Sequence, residues 1–242
     1  MKIFSMPTFS AIIPAYNEGP RIEEMIDAVL GCKELDEIII INDGSTDDTW
    51  EKIQTIKDPR CIKMNNTKNC GKMKSVMRAI KKSNGDYIVM IDSDLIGLKS
   101  YHIKQLIDPI MTQLCDTTLS LRDNSLRIYK LLKTDFVSGE RVIPKEIFED
   151  TAFFVGKSFG LEVKINEKIL EKNLIRGNVK LKGVITPNKS KKIGFFAGTW
   201  ADIKMVGEIL CVLPFYRVIY QLFAFSRFSN RARFFSSPRK KL

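Results

Sequence analysis

The sequence predicts an α/β fold, a doubly wound and mostly parallel sheet flanked by helices, and three observations carry that expectation. Short, continuous apolar runs suit strands that are covered on both faces. Between these runs, apolar residues recur at i, i+3, i+4 and i+7, the spacing of one helix face. Polar turns follow the strands, at the edge where sheets of this kind bind ligands.

Phe9 to Pro14 is the first apolar run, and Ile22, Met25, Ile26, Val29 and Leu30 follow it at helical spacing. Glu37 to Ile41 holds four consecutive isoleucines, which suits a strand buried on both sides. The polar turn from Asn42 to Asp48 leads to Trp50, Ile53 and Ile56 on a second helix. A weaker strand at Cys61 to Met64 precedes Gly71 and a helix through Met73, Val76, Met77 and Ile80. Tyr87 to Ile91 is another apolar run and ends in Asp92-Ser93-Asp94. A helix through Ile103, Leu106, Ile107, Ile110, Met111 and Leu114 comes next, then strand-like pieces at Thr117 to Leu121 and Phe136 to Ser138. Residues 1–202 are expected to form one domain, and residues 203–242 an amphipathic helical extension with a basic tail.

With 242 residues, 44% hydrophobic and 28% charged, the chain can fill one core, which excludes wholesale disorder. The 39 Lys and Arg against 28 Asp and Glu give a formal charge of +11, which favours anionic partners. Five scattered cysteines without a C-x-x-C pair fit neither a disulfide framework nor a zinc site, and suit idle thiols in a reducing cytoplasm. No secretory signal is read at the N-terminus. The apolar stretch from Ile209 to Phe225 is broken by Pro214 and Arg217, so a full membrane span is not expected. Its Ile209, Leu210, Val212, Leu213, Val218, Ile219, Leu222 and Phe223, with Arg217 and the basic tail, suit the interface of an anionic membrane, at the inner face of the cell membrane. The catalytic domain or a second subunit, in a homodimer, is the other candidate cover for that apolar face.

Asp92-Ser93-Asp94 delivers two carboxylates to one edge of the sheet from a rigid strand, and oxygen ligands suit Mg²⁺ or Mn²⁺. Such a metal offsets charge on a departing diphosphate; a solvated turn or helix cap is the plainer use of the same residues. Asp43-Gly44-Ser45-Thr46-Asp47-Asp48 and Pro14-Ala15-Tyr16-Asn17-Glu18 follow their strands in the same way. An acidic side chain there can accept hydrogen bonds from a base or ribose.

Those two stretches, with Gly71-Lys72 and Asp92-Ser93-Asp94 in the same order over residues 14 to 94, resemble the family-2 glycosyltransferases of GT-A fold. The resemblance implies a nucleoside-diphosphate sugar as donor. It places Pro14, Ala15, Tyr16, Glu18 and Asp43 at the nucleoside, Lys72 near base or phosphate, Asp92 and Ser93 beside the sugar nucleotide, and Asp94 as leading metal ligand with Asp92. Ser138-Gly139-Glu140-Arg141 and Phe159-Gly160-Leu161-Glu162-Val163 are similar to the branch that includes glucosyl-3-phosphoglycerate synthases. That similarity implies an acceptor side made by Gly139, Arg141 and Glu162, with Glu140 orienting a reacting hydroxyl and Arg141 meeting an anion. The acceptor is expected to be a phosphorylated small molecule or a polyprenyl phosphate. Some members of the branch carry a metal-binding His where this chain reads Gly183 to Asn188, and the lone His102 is expected to be packed or solvated.

A nucleotidyltransferase is the rival enzyme, disfavoured because Tyr16-Asn17-Glu18 stands where a glycine-rich triphosphate loop belongs. A basic nucleic-acid-binding module is the rival from another class; nucleic acid is not the expected partner.

Overall fold

The computed structural model describes residues 6–150, 154, 160–187 and 214–236. Eight strands form one sheet: β1 (Phe9–Ala15), β2 (Glu37–Asn42), β3 (Cys61–Asn65), β4 (Tyr87–Met90), β5 (Thr117–Arg122), β6 (Arg141–Pro144), β7 (Arg176–Leu181) and β8 (Ala232–Ser236). Their order is β3-β2-β1-β4-β6-β5-β7-β8, and only β6 runs antiparallel to its neighbours. The helices described are α1 (Ile22–Leu30), α2 (Thr49–Gln54), α3 (Lys72–Ile80), α4 (Ser100–Met111), α5 (Arg127–Leu132), α6 (Leu161–Glu171) and α7 (Phe215–Phe225).

The isoleucine run explains the two-layered core. Side chains alternate along a strand, so Ile38 and Ile40 enter the cluster under α1 and α4 while Ile39 and Ile41 enter the one under α3 and α6. All four are fully buried, which contributes about 1.5–3 kcal/mol each relative to exposure. Strand order reverses between β1, which leads outward to β2 and β3, and β4, which leads the other way. Crevices at such switch points are where doubly wound sheets bind ligands.

Three expectations change. Phe136 to Ser138 is a turn, and the strand lies after it at Arg141–Pro144, because Phe136 is buried by the core from an irregular segment. Leu114 lies beyond the end of α4 and is exposed, so it takes no part in that helix's packing. Ile56 follows α2 but stays buried. Residues 214–236 join the same sheet and core: β8 pairs in parallel with β7, and α7 packs on α6 through Val218, Gln221, Leu222 and Phe225. The apolar residues expected at 209 to 213 lie outside the described residues.

Candidate active site

The motif loops converge at the carboxyl ends of β1, β2 and β4, and they brace one another. Asn17, at φ 55°, donates its backbone N–H to Ser45 Oγ at 3.0 Å, and its side-chain oxygen accepts from the Thr46 N–H at 2.8 Å. Glu18 N–H reaches Thr49 Oγ1 at 2.9 Å, and Gly19 N–H reaches Asp47 at 3.1 Å. Gly44 has φ +71°, and a Cβ there would lie 2.4 Å from the Lys68 carbonyl carbon, so only glycine lets the loops close this tightly. Ser93 donates its hydroxyl to the Pro14 carbonyl at 2.8 Å and ties β4 to β1. This bond makes Ser93 a brace between the two strand ends.

Asp43 is buried, and accepts from Asn66 Nδ2, the Cys70 N–H and the Gly71 N–H, each at 2.9 Å. An ionised carboxylate has about four acceptor sites, so about one remains for a ligand. Ala15 is buried, whereas Tyr16 is exposed beside it. Glu18 binds Arg21, with Nε at 2.9 Å from its Oε2.

Lys72, at the first turn of α3, lies 2.8 Å from Asp92 and 2.7 Å from Glu162. Burial works against its charge, but Asp92 and Glu162 outweigh burial and hold the ammonium above its ordinary range. Burial likewise opposes the charge on Asp92, yet Lys72, then Arg122 and Arg141, keep that carboxyl below the usual range. Asp94 has the opposite balance. Burial first, then repulsion from Asp92, Glu18 and Glu140, pushes it up to about 6. No hydrogen bond or ion pair reaches Asp94 from the described residues. Gly139 lies directly against Asp92: a Cβ there would come within 2.1 Å of Asp92 Oδ2. A glycine at this position makes room for that carboxylate.

Glu140 and Arg141 do not lie where the sequence reading expected. Glu140 is fully buried, accepting from Ser120 Oγ at 2.6 Å, Ser138 Oγ at 2.8 Å and Arg122 at 3.2 Å. Held by three protein donors and sealed from solvent, it supports the site from below, away from the surface where an acceptor hydroxyl would arrive. Arg141 is equally buried, giving its N–H groups to the Ser138 and Phe136 carbonyls and to Asn166 Oδ1. It cannot meet an acceptor anion, and its charge acts from behind the carboxylates. Glu162 lies in the first turn of α6, where it pairs with Lys72. Arg122 also binds Asp135 at 3.3 Å, so one guanidinium serves two acids. Sequence reading missed Arg122, although Thr118, Ser120 and Arg122 form the polar side of an alternating strand, a period-2 signal of a polar face.

His102 is buried, accepting from the Lys99 N–H at 3.1 Å while Nε2 bonds the Lys182 carbonyl at 3.0 Å. It is a packed side chain stapling α4 to the 182–183 turn. Gly183 to Pro187 supplies no His, and Asn188 lies outside the described residues. Among the described residues, no group of three or more His, Cys, Asp and Glu side chains gathers as a ready-made metal site. A cleft of about 730 Å³ lies by Lys81, Tyr87 and Lys145 near the amino end of β4, and none of these motif residues lines it.

The family model "Glycosyl transferase family 2" matches residues 10–170. Dolichol-phosphate mannosyltransferase of Pyrococcus furiosus is 37% identical over 91 residues, 36% of this chain and 25% of that protein. Poly-beta-1,6-N-acetyl-D-glucosamine synthase of Staphylococcus aureus is 40% identical over 87 residues, 35% of this chain and 21% of that protein. The matched stretch thus spans a quarter or less of these curated relatives. Glucosyl-3-phosphoglycerate synthase of Mycobacterium tuberculosis, solved with Mn²⁺, UDP-glucose and phosphoglyceric acid, superposes with TM-score 0.68 at 20% identity over 89% of this chain and 80% of that one. Likeness at this identity shows the shared fold.

Proposed function

Because the chain belongs to glycosyl transferase family 2, we propose that it moves a sugar from a nucleoside-diphosphate sugar to a hydroxyl or phosphate acceptor with the aid of Mg²⁺ or Mn²⁺. One observation carries the reading: Asp94 is an unpartnered, half-buried carboxylate beside Asp92 and Lys72, at the switch point of a doubly wound sheet. The donor set fits a hard divalent cation, since two carboxylates stand together and the one without a partner is destabilised by its neighbours. Asp94 and Asp92 would hold the metal, with diphosphate oxygens and water completing its shell. When bound, it supplies positive charge for the leaving diphosphate.

The chain's own residues do the rest. Pro14, Ala15, Tyr16, Glu18 and Asp43 line the nucleoside side, with Tyr16 open to stack on a base. Lys72 holds Asp92 and Glu162 in place and adds a cation beside the phosphates. Glu162 is the acceptor-side carboxylate, and Glu140 is a positioning residue that fixes Arg122. Mn²⁺ and UDP-glucose in the similar M. tuberculosis structures support a sugar-nucleotide donor with metal. Phosphorylated acceptors are supported by the names of the relatives, which include a dolichol-phosphate enzyme and a phosphoglycerate enzyme.

The test is a thermal-shift panel of UDP-, GDP- and ADP-sugars with and without Mn²⁺, since a ligand of the native state raises its apparent stability. A metal-dependent shift with one donor, lost in Asp94→Ala, supports the reading; no shift with any donor sinks it.

Peripheral membrane attachment at the cytoplasmic face is part of the same proposal. On α7, Tyr216, Ile219, Tyr220 and Phe223 are exposed at i, i+3, i+4 and i+7, and Arg227, Arg231 and Arg233 follow. No described helix is long and apolar enough to cross a membrane. Co-sedimentation with phosphatidylserine vesicles, lost in Tyr216→Ser/Tyr220→Ser/Phe223→Ser, tests this; no sedimentation, or self-association through these residues, refutes it.

A further inference from the structure

Another cleft, of about 470 Å³, is walled by β5, β7, β8 and the α5 segment, and neither Asp92 nor Asp94 lines it. Lys130 from α5, Lys133 just past its end, Lys180 from β7 and Arg122 from β5 line it, against one acid, Asp123. The charges are poorly matched. Asp123 stands 3.8 Å from Lys180, Lys133 lies over the Phe234 ring at 5.9 Å, and no carboxylate pairs with Lys130 or Lys133 among the described residues. Gathered cations of this kind create a local field that favours an anion.

Two buried atoms point independently to a ligand. Asn178 is 3% exposed and lines the cleft, and its Oδ1 has no hydrogen-bond partner. Arg122 Nε is likewise a buried donor without a partner, although the rest of that guanidinium serves Glu140 and Asp135. Buried polar atoms in native proteins are nearly always satisfied, so orphans at the wall of a cleft mark missing contacts. The set comprises ammonium groups, one N–H donor and one amide acceptor. A phosphate ester answers all three: its oxygens accept from the lysines and the guanidinium, and a P–OH or neighbouring hydroxyl donates to Asn178. The volume falls within the range of about 300–1,000 Å³ usual for small-ligand sites.

We propose that this cleft is a phosphate-ester binding site, separate from the donor site and independent of whether that site transfers a sugar. Because Arg122 lines the cleft and also holds Glu140, an occupant here touches the support of the catalytic edge.

The test titrates inorganic phosphate into the full chain at constant ionic strength, with chloride as control, and follows the thermal midpoint. Lys130→Ala/Lys133→Ala/Lys180→Ala is compared with the wild type; all three lysines are exposed, so the fold is expected to survive, and an unchanged far-UV spectrum checks it. Phosphate is expected to stabilise the wild type, and the triple variant to bind about tenfold or more weakly, as loss of charge-assisted hydrogen bonds requires. A sugar-nucleotide shift retained in the variant identifies the lost site as the cleft and leaves the donor reading intact. Phosphatidylcholine vesicles with and without phosphatidic acid distinguish the source. Lysine-dependent sedimentation with phosphatidic acid assigns a lipid headgroup, and a phosphate shift without sedimentation assigns a soluble ester. No phosphate shift in the wild type, or an equal shift in the variant, overturns the proposal.

Discussion

Lys72 on α3 donates to Glu162 on α6 at 2.7 Å, joining two helices whose contacting residues lie 90 positions apart in the chain. The same ammonium holds Asp92 at 2.8 Å. One cation therefore pairs with two carboxylates, while no ion pair reaches Asp94 from the described residues. Lys72→Ala is expected to set Asp92 and Glu162 in mutual repulsion and to cost about 1–3 kcal/mol at neutral pH. Urea unfolding reads that loss. Donor binding should weaken with it, whereas a merely stabilising lysine would leave the donor-induced shift unchanged.

Asp94 gives a pH prediction. Its carboxyl is raised from 3.8 to about 6 in the fold, so ionising it is harder in the native state than in the unfolded chain. The stability linked to its protonated form is fully present below pH 3.8 and is lost as pH rises through about 6. Asp94→Asn removes that loss. Without metal, the variant should exceed wild type by on the order of 1–2 kcal/mol above pH 6, after allowing for solvent screening of a partly exposed group, and match it below pH 4. Denaturation across this pH range checks the crossover; a variant less stable at pH 8 would contradict it. Metal binding should fade below about pH 6, because protons then compete for the same oxygen.

Gly139→Ala tests the close approach beneath Asp92. The added methyl would fall 2.1 Å from Asp92 Oδ2, so the carboxylate must leave Lys72 or the turn must shift. The expected outcome is a stability loss of about 1–3 kcal/mol with a disproportionate loss of the Mn²⁺-dependent donor shift. An alanine variant with a normal metal response would show that Asp92 is free to move.

How far the sequence could be read follows from the range of the interactions involved. The strands β1, β2 and β4 were legible because burial on both faces demands continuous apolar runs, as in Ile38 to Ile41. The motif loops were legible because their residues act within a few positions of a strand end. Glu140 and Arg141 were misplaced because sequence gives adjacency and not direction. Both side chains turn inward to partners at Ser120, Arg122 and Asn166, which no local pattern links to them. The edge strand β8 was hidden because Ala232–Ser236 is short and carries Arg233, so it reads as a basic tail until β7 supplies its hydrogen bonds.

The C-terminal helix adds a last prediction, because a buried polar chain ties it to the site. Gln221 on α7 is fully buried, donating to the Val163 carbonyl at 3.0 Å and to Glu167 at 2.8 Å, and accepting from Asn166 at 3.1 Å. Asn166 in turn accepts from Arg141, whose guanidinium holds the Ser138 carbonyl, and the Ser138 hydroxyl holds Glu140. Gln221→Leu keeps the apolar volume but leaves Glu167 and Asn166 short of partners in a buried setting, at a cost of about 1–3 kcal/mol. If the chain only anchors α7, donor binding per folded molecule stays at the wild-type value. If it also sets the turn carrying Gly139 and Glu140, the sugar-nucleotide shift falls even where the protein is fully folded. The chain's continuity from Gln221 to Glu140 makes the second result the expected one, and the donor titration on the folded variant separates the two.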